Sequence, residues 1–149
     1  MSLEKYRKKR NFTRTPEPEG EATETNRCIY VIQEHHASHL HWDLRLEANG
    51  VLKSWALPKD PPREVGVRRL AVPFEDHPIE YADFEGKIAE GQYGTGQVTI
   101  WDRGTYEPVF FGDDKIVVNI DGNKLKGKYC LIKSKFQGRD GWLLFKMKQ

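Results

Sequence analysis

From Arg27 onward the chain is a succession of short runs in which apolar and polar residues alternate, broken by turn residues. Alternate side chains of an extended backbone leave opposite faces, so such runs predict strands. Cys28 to Ile32 is β-branched and aromatic and predicts a buried strand. His39 to Glu47 alternates strictly. Leu40, Trp42, Leu44 and Leu46 point one way, and His39, His41, Asp43, Arg45 and Glu47 the other. Asn49-Gly50 predicts a tight hairpin turn, and Val51 to Leu57 a returning strand that Pro58 ends. Pro61-Pro62 marks a loop. Arg69 to Phe74 reads as a strand in which Pro73 requires an edge or a bulge. Asp83 to Ile88 is a short strand. Gln97 to Arg103 is a longer one, continuing past a kink through Gly104-Thr105-Tyr106. Lys115 to Ile120, Lys128 to Lys133 and Trp142 to Met147 complete the set, with turn signals at Asp121-Gly122 and Asp140-Gly141. About eight strands and no long helix predict an all-β domain over 27–149, a barrel or a sandwich.

Residues 1–26 lack apolar periodicity, and Thr15 to Gly20, with two prolines, reads as an extended arm. Lys5, Arg7, Lys8, Lys9, Arg10 and Arg14 crowd this arm, followed by Glu17, Glu19, Glu21 and Glu24. A basic cluster attracts phosphate backbones, but it also serves as a solvated tail. The whole-chain balance of +2 decides nothing between them. The 149 residues, 38% hydrophobic and 31% charged, suit one domain with one core. No run approaches the roughly 20 apolar residues that span a bilayer, and no apolar segment follows the basic N-terminus, so no membrane partner and a cytoplasmic location are expected. Cys28 and Cys130 belong to no CxxC pair and are read as two buried free thiols rather than a disulfide.

The chemistry concentrates in one segment. Four of the five histidines lie in His35-His36-Ala37-Ser38-His39-Leu40-His41, with Asp43 and Arg45 just beyond. His41, Asp43 and Arg45 share one strand face, opposite the leucines. Such a row is costly to bury without partners, and makes sense lining a wet cavity that holds a metal and an anion. Imidazole with carboxylate suits Mn, Fe, Zn or Ni, and an adjacent arginine suits phosphate. The bland alternative is a polar exposed strand face. Glu75-Asp76-His77, after a predicted strand, reads as plain surface or as a supporting pair and proton-transfer group. Lys59, Arg68 and Arg69 flank the proline-rich loop, where one or more could reach the cavity of a closed barrel. Gly91 to Gly96 lacks the Lys-Ser/Thr pair of a phosphate-binding loop and is read as a turn. Trp42, Trp55, Trp101 and Trp142 are read as core.

These strings resemble a known family. Gln33 to Glu47, Gly50 to Ala56, Glu75-Asp76-His77-Pro78, Tyr81 to Gly86 and Trp101 to Gly104 are similar to the phosphoesterase domain of bacterial DNA ligase D, as is Lys9-Arg10-Asn11-Phe12 with Thr15, Glu17 and Pro18. The resemblance runs nearly end to end and reads as a free-standing version, with no ligase or polymerase module. It implies a compact closed β-barrel and a manganese-dependent enzyme acting on nucleic-acid 3′ ends. A terminal ribonucleoside is removed first, and the resulting 3′-phosphate is hydrolysed to a 3′-hydroxyl. It implies that His35, His41 and Asp43 hold the metal. Arg45 and His77 would contact the phosphate, with His77 a proton donor. Lys59, Arg69 and Tyr81 would add phosphate contacts, and Glu75, Gln33, Arg10 and Glu17 would support the diesterase step. A separate DNA ligase and polymerase are the implied partners. Two positions depart from the pattern. Asn11 and His36 stand where aspartates are expected, which bears on the diesterase step at Asn11 and leaves His36 a spectator. The arm is expected to fold over the site when nucleic acid binds. Two rival readings remain: a non-haem iron oxygenase using His41-x-Asp43 with His77, and a module that binds 3′ ends without cutting them.

Overall fold

A computed structural model describes residues 3–10, 12, 15–18, 28–88, 96–136 and 139–148. Asn11, Arg14, Glu19, Glu21, Glu24 and the loop from Gly91 lie outside the described residues. One short helix, α1 (Glu4–Lys8), is followed by nine strands: β1 (Ile29–His36), β2 (Leu40–Ala48), β3 (Val51–Leu57), β4 (Arg68–His77), β5 (Gly86–Ile88), β6 (Gly96–Phe111), β7 (Lys115–Gly122), β8 (Lys126–Phe136) and β9 (Arg139–Lys146). A single 3-10 turn, Ile79–Asp83, separates β4 from β5. The predicted strand over Asp83 to Ile88 is therefore corrected. Asp83 ends the 3-10 turn, and only Gly86–Ile88 pairs, with β6.

The sheet runs β1-β2-β3-β4-β9-β8-β7-β6, and β1 pairs back onto β6. Eight antiparallel strands thus close a barrel, and β5 extends the free edge of β6. Closure removes the unpaired edges that an open sheet would expose. The hairpin register follows from the Asn49-Gly50 turn. Both residues take left-handed backbone angles, φ 54° and 83°, which suits a two-residue connection. Ala48 then faces Val51, and Arg45 faces Ser54. β6 runs through Gly104 without interruption, and its register shifts fall at Asp102/Ile100 and Pro108/Phe110 instead; glycine is required at 104 because a Cβ there would lie 2.1 Å from the Asp121 carbonyl oxygen of β7.

Leu44 and Leu46 enter the barrel interior beside Tyr30, Ile32, Trp55, Leu57, Leu131 and Leu144. Full burial of each such aliphatic side chain stabilises the fold by about 1.5–3 kcal/mol. Trp55 and Trp142 are core, as read, whereas Trp42 and Trp101 are only partly buried against it. Both cysteines are free; Cys130 is buried, but Cys28 is only half-buried.

The polar row of β2 faces outward, yet Asp43, Arg45 and Glu47 are buried there too. A second apolar cluster covers this outer face. Tyr6 from α1 and Tyr81, Ala82 and Phe84 from the 3-10 segment pack on Val31 of β1 and Leu52 of β3. Five residues are too few for an independently stable helix, so α1 is held by this packing. The described part of the arm thus lies on the barrel.

One irregularity positions the site. Leu52 pairs with His77 and Ser54 with Phe74, so Glu75 and Asp76 together stand opposite Lys53. This bulge turns His77 onto the same face as Phe74, where strict alternation would have put Asp76. Pro73 stands opposite Trp55 of β3 and lies past the reach of β9, which pairs only with Arg68 to Ala71, so one side of β4 is an edge there, as the proline requires.

Candidate active site

Beneath α1 and the 3-10 segment lies a cavity of about 310 Å³ lined by Arg10, Glu17, His35, His41, Asp43, Arg45, Ala56, Val72, Phe74, His77, Tyr81 and Ile88. At its floor β1 and β2 place His35 directly opposite His41, with Asp43 two residues along on the same face. The imidazole rings are 4.7 Å apart. His41 Nε2 lies 3.3 Å from Asp43 Oδ1, and His35 Nδ1 lies 4.0 Å from Asp43 Oδ2. One donor atom from each of the three falls within 4.8 Å of the others. Asp43 raises the pKa of His41 against the opposing effect of burial.

Asp43 Oδ1 is buried and, apart from the 3.3 Å approach of His41 Nε2, has no hydrogen-bond partner among the described residues. An ionised oxygen in that position fits a cation, and two imidazoles with a carboxylate fit a transition metal. The group could therefore hold a divalent metal ion, through His35, His41 and Asp43. The oxygenase reading paired His41 and Asp43 with His77, but His77 is not part of this group and His35 takes its place. His36 is exposed and bonds Glu34 instead.

Arg45, only 2% exposed, lies beside the metal group. Its Nε donates to Gln33 Oε1 at 2.6 Å, Nη1 to Ser54 Oγ at 2.7 Å and Nη2 to Asp43 Oδ2 at 3.5 Å. The guanidinium lies under the Tyr81 ring, 4.7 Å from its centroid. Among the described residues these bonds use three of its five N–H groups, leaving two for an oxyanion. Gln33 spends its amide N–H groups on the carbonyls of Tyr81 and Phe84, so it fastens the 3-10 segment to Arg45.

The arm supplies the roof. Arg10 donates to Glu17 at 2.9 Å and to Glu75 at 3.2 Å, and Lys9 reaches Glu75 at 2.8 Å. Glu17 also accepts from the hydroxyls of Tyr81 and Thr15. Tyr6, fully buried, donates to the Pro18 carbonyl and packs 4.7 Å from the His77 ring. The glutamates thus hold the roof together. Lys9 and Arg10 lower the pKa of Glu75 although burial opposes them.

His77 Nδ1 lies 2.9 Å from the Glu75 carbonyl oxygen, and its Nε2 lies 3.3 Å from Arg10 Nη2. A carbonyl only accepts and a guanidinium only donates, so the ring is neutral, with its proton on Nδ1. Burial first, and then the charges of Arg45 and Arg10, push its pKa well below the ordinary value. The unfolded chain therefore binds a proton that the folded chain refuses. Stability from this group is complete above about pH 6.5 and falls as pH drops below it, by up to about 1.4 kcal/mol per unit. Urea unfolding between pH 7 and 5 should show this slope, and His77→Gln should flatten it; an unchanged slope would mean that His77 is accessible to protons in the fold.

Eight of the twelve site residues expected from the sequence line this cavity, and Gln33 and Glu75 brace it from behind. Lys59 and Arg69 do not line it. Lys59 is exposed beyond the end of β3, and Arg69 shares the interior-facing side of β4 with Ala71 and is bound to Asp60. Ser54, Tyr6 and Phe74 went unread. Ser54 had a signal, since a two-residue turn at Asn49-Gly50 sets it opposite Arg45; Tyr6 and Phe74 had none.

The family described as DNA Ligase D 3′-phosphoesterase domain matches residues 33–133. The protein named multifunctional non-homologous end joining protein LigD of Pseudomonas aeruginosa is 45% identical over 158 aligned residues, covering 98% of this chain and 18% of its own length. The LigD proteins of Mycobacterium tuberculosis and Mycolicibacterium smegmatis are 45% and 46% identical over the same 98% of the chain and 20% of theirs. The chain spans about a fifth of the length of these curated relatives. Matched across most of its length, with the motif residues gathered in one cavity, this chain belongs to the DNA ligase D 3′-phosphoesterase domain family.

Proposed function

We propose that this chain is a metal-dependent phosphoesterase that heals nucleic-acid 3′ ends, removing a terminal ribonucleoside and hydrolysing the 3′-phosphate to a hydroxyl. The observation that carries the reading is the arrangement of Arg45, with two N–H groups to spare, beside the His35–His41–Asp43 group in one roofed cavity. Manganese is the metal we assign to His35, His41 and Asp43. When bound, it would neutralise phosphate charge and activate a water.

The chain's own residues do the rest. Arg45 binds two phosphate oxygens and, being pinned by Gln33 and Ser54, needs no reorganisation to do so. His77 starts neutral and becomes a proton donor once a phosphate dianion beside it offsets the charges of Arg45 and Arg10. Tyr81 orients the Arg45 plane. Arg10 and Glu17 form the roof, and Glu75 and Gln33 brace the cavity from behind; together they support the diesterase step. For Arg69 to add a phosphate contact it must leave Asp60. Lys59, exposed beyond the end of β3, must likewise move to reach a bound phosphate.

The relatives are named for non-homologous end joining, and a 3′-hydroxyl is the end that a ligase or polymerase requires. We therefore place the chain in DNA repair, upstream of ligation and of polymerase extension. The test uses primer-templates ending in a 3′-phosphate or a 3′-ribonucleotide, with and without manganese. Manganese-dependent conversion of both ends to a 3′-hydroxyl is expected. Binding with no turnover under any divalent metal would leave a 3′-end-binding module instead.

A further inference from the structure

We propose that the strand whose 3′ end enters the cavity runs along the outer face of β4, over Val72 and Leu70, to a phosphate contact at Arg68 and a second at Lys128; this rests on the phosphoesterase reading for what enters the cavity. Val72 lines the cavity, and Leu70 and Arg68 follow it on the same face of β4. Phe145 of β9 stands opposite Arg68, and the Arg68 guanidinium lies 5.3 Å from the centroid of its ring. The cation is thus held on an aromatic plane and needs little further ordering to meet a phosphate. Cys130 of β8 stands opposite Phe145, and Lys128 lies two residues along on that same face.

Charge selects this route. From the cavity across β4, β9 and β8, no described residue on the outer face is a carboxylate. The opposite way out passes Glu4, Glu75 and Asp76, where Lys9 and Arg10 are engaged with Glu75 and Lys53 with Asp76, so its cations are largely occupied by carboxylates. Val72, 43% exposed, and the half-buried Leu70 offer an apolar rail on which sugars and bases can rest. Four residues of strand separate Val72 from Arg68. That is roughly 13 Å, or the axial rise of about four nucleotides of duplex. The Arg68 contact therefore falls about four nucleotides from the reacting end, beyond the reach of a dinucleotide.

The test compares wild type with Arg68→Glu and with Lys128→Glu, folding being checked by circular dichroism. The probes are a twelve-base-pair primer-template with a 3′-hydroxyl, for binding, and a 3′-phosphorylated dinucleotide, for turnover. Each variant should bind the long probe about tenfold more weakly, with a salt slope shallower by about one. Dinucleotide turnover should be unchanged. Wild-type affinity and salt slope in both variants would overturn the proposal and leave this face to a protein partner. If wild type hydrolyses neither end under any divalent metal but Arg68→Glu still weakens long-probe binding, the track stands and the phosphoesterase reading fails.

Discussion

Asp43→Ala is expected to abolish phosphoester turnover, by on the order of a thousandfold or more, while leaving the barrel folded. Asp43 meets three cationic or ligating groups within 4.0 Å: His35, His41 and the Arg45 guanidinium. It is the sole carboxylate of the three-residue donor group. Removing it leaves two imidazoles, which hold a hard divalent ion poorly, and metal-supplied charge stabilisation is worth several kcal/mol, each 1.4 kcal/mol being tenfold. Calorimetric titration with manganese should show the metal site lost, and the 3′-phosphate assay should show turnover lost with it. Asp43→Asn separates shape from charge, because it keeps the side-chain volume and discards the anion. Near-normal turnover in Asp43→Asn would mean that this carboxylate does not hold the metal.

Arg45→Lys should lower turnover on a 3′-phosphate by about a hundredfold to a thousandfold, the usual effect of deleting one oriented donor to a developing oxyanion. A lysine keeps the charge but not the planar fork. It cannot bond Gln33, Ser54 and Asp43 at once and still present two N–H groups to phosphate. The same change leaves Gln33 Oε1 or the Ser54 hydroxyl buried with a lost partner, at about 1–3 kcal/mol. Urea unfolding should therefore shift along with activity. Ser54→Ala is the control: it removes one acceptor without touching the charge, and should cost far less activity than Arg45→Lys. Equal losses would mean that Arg45 acts only as a structural bridge.

The two results together discriminate between parts of the site. Loss of metal binding in Asp43→Ala with metal binding retained in Arg45→Lys would assign one residue to the cation and the other to the anion. Loss of metal binding in both would instead tie them into one unit through the Asp43–Arg45 contact.

Much of this site was legible along the chain, and the reasons are local. Period-two alternation is intrinsic to an extended backbone, so His41, Asp43 and Arg45 on one face and the leucines on the other could be read without any fold. The Asn49-Gly50 turn admits two residues and no more, so the pairing of Arg45 with Ser54 was already implied. The resemblance added His35 and the arm residues, and they lie in or around the same cavity.

Tertiary structure decided the remainder, because it depended on contacts between distant segments. The direction in which His77 points depends on a bulge of Glu75-Asp76 against Lys53, which no local pattern announces. Whether the polar row of β2 faces solvent, the barrel interior or a covered cavity is decided by Tyr6 and Tyr81, which pack over it from distant segments. A five-residue helix with no amphipathic stripe of its own cannot be read in isolation, since its stability comes wholly from that packing. Arg68 and Arg69 are neighbours that sequence could not tell apart. Closure of the barrel through β4 and β9 sends one toward the outer face beside the cavity and the other to Asp60, because adjacent residues of a strand must face opposite ways.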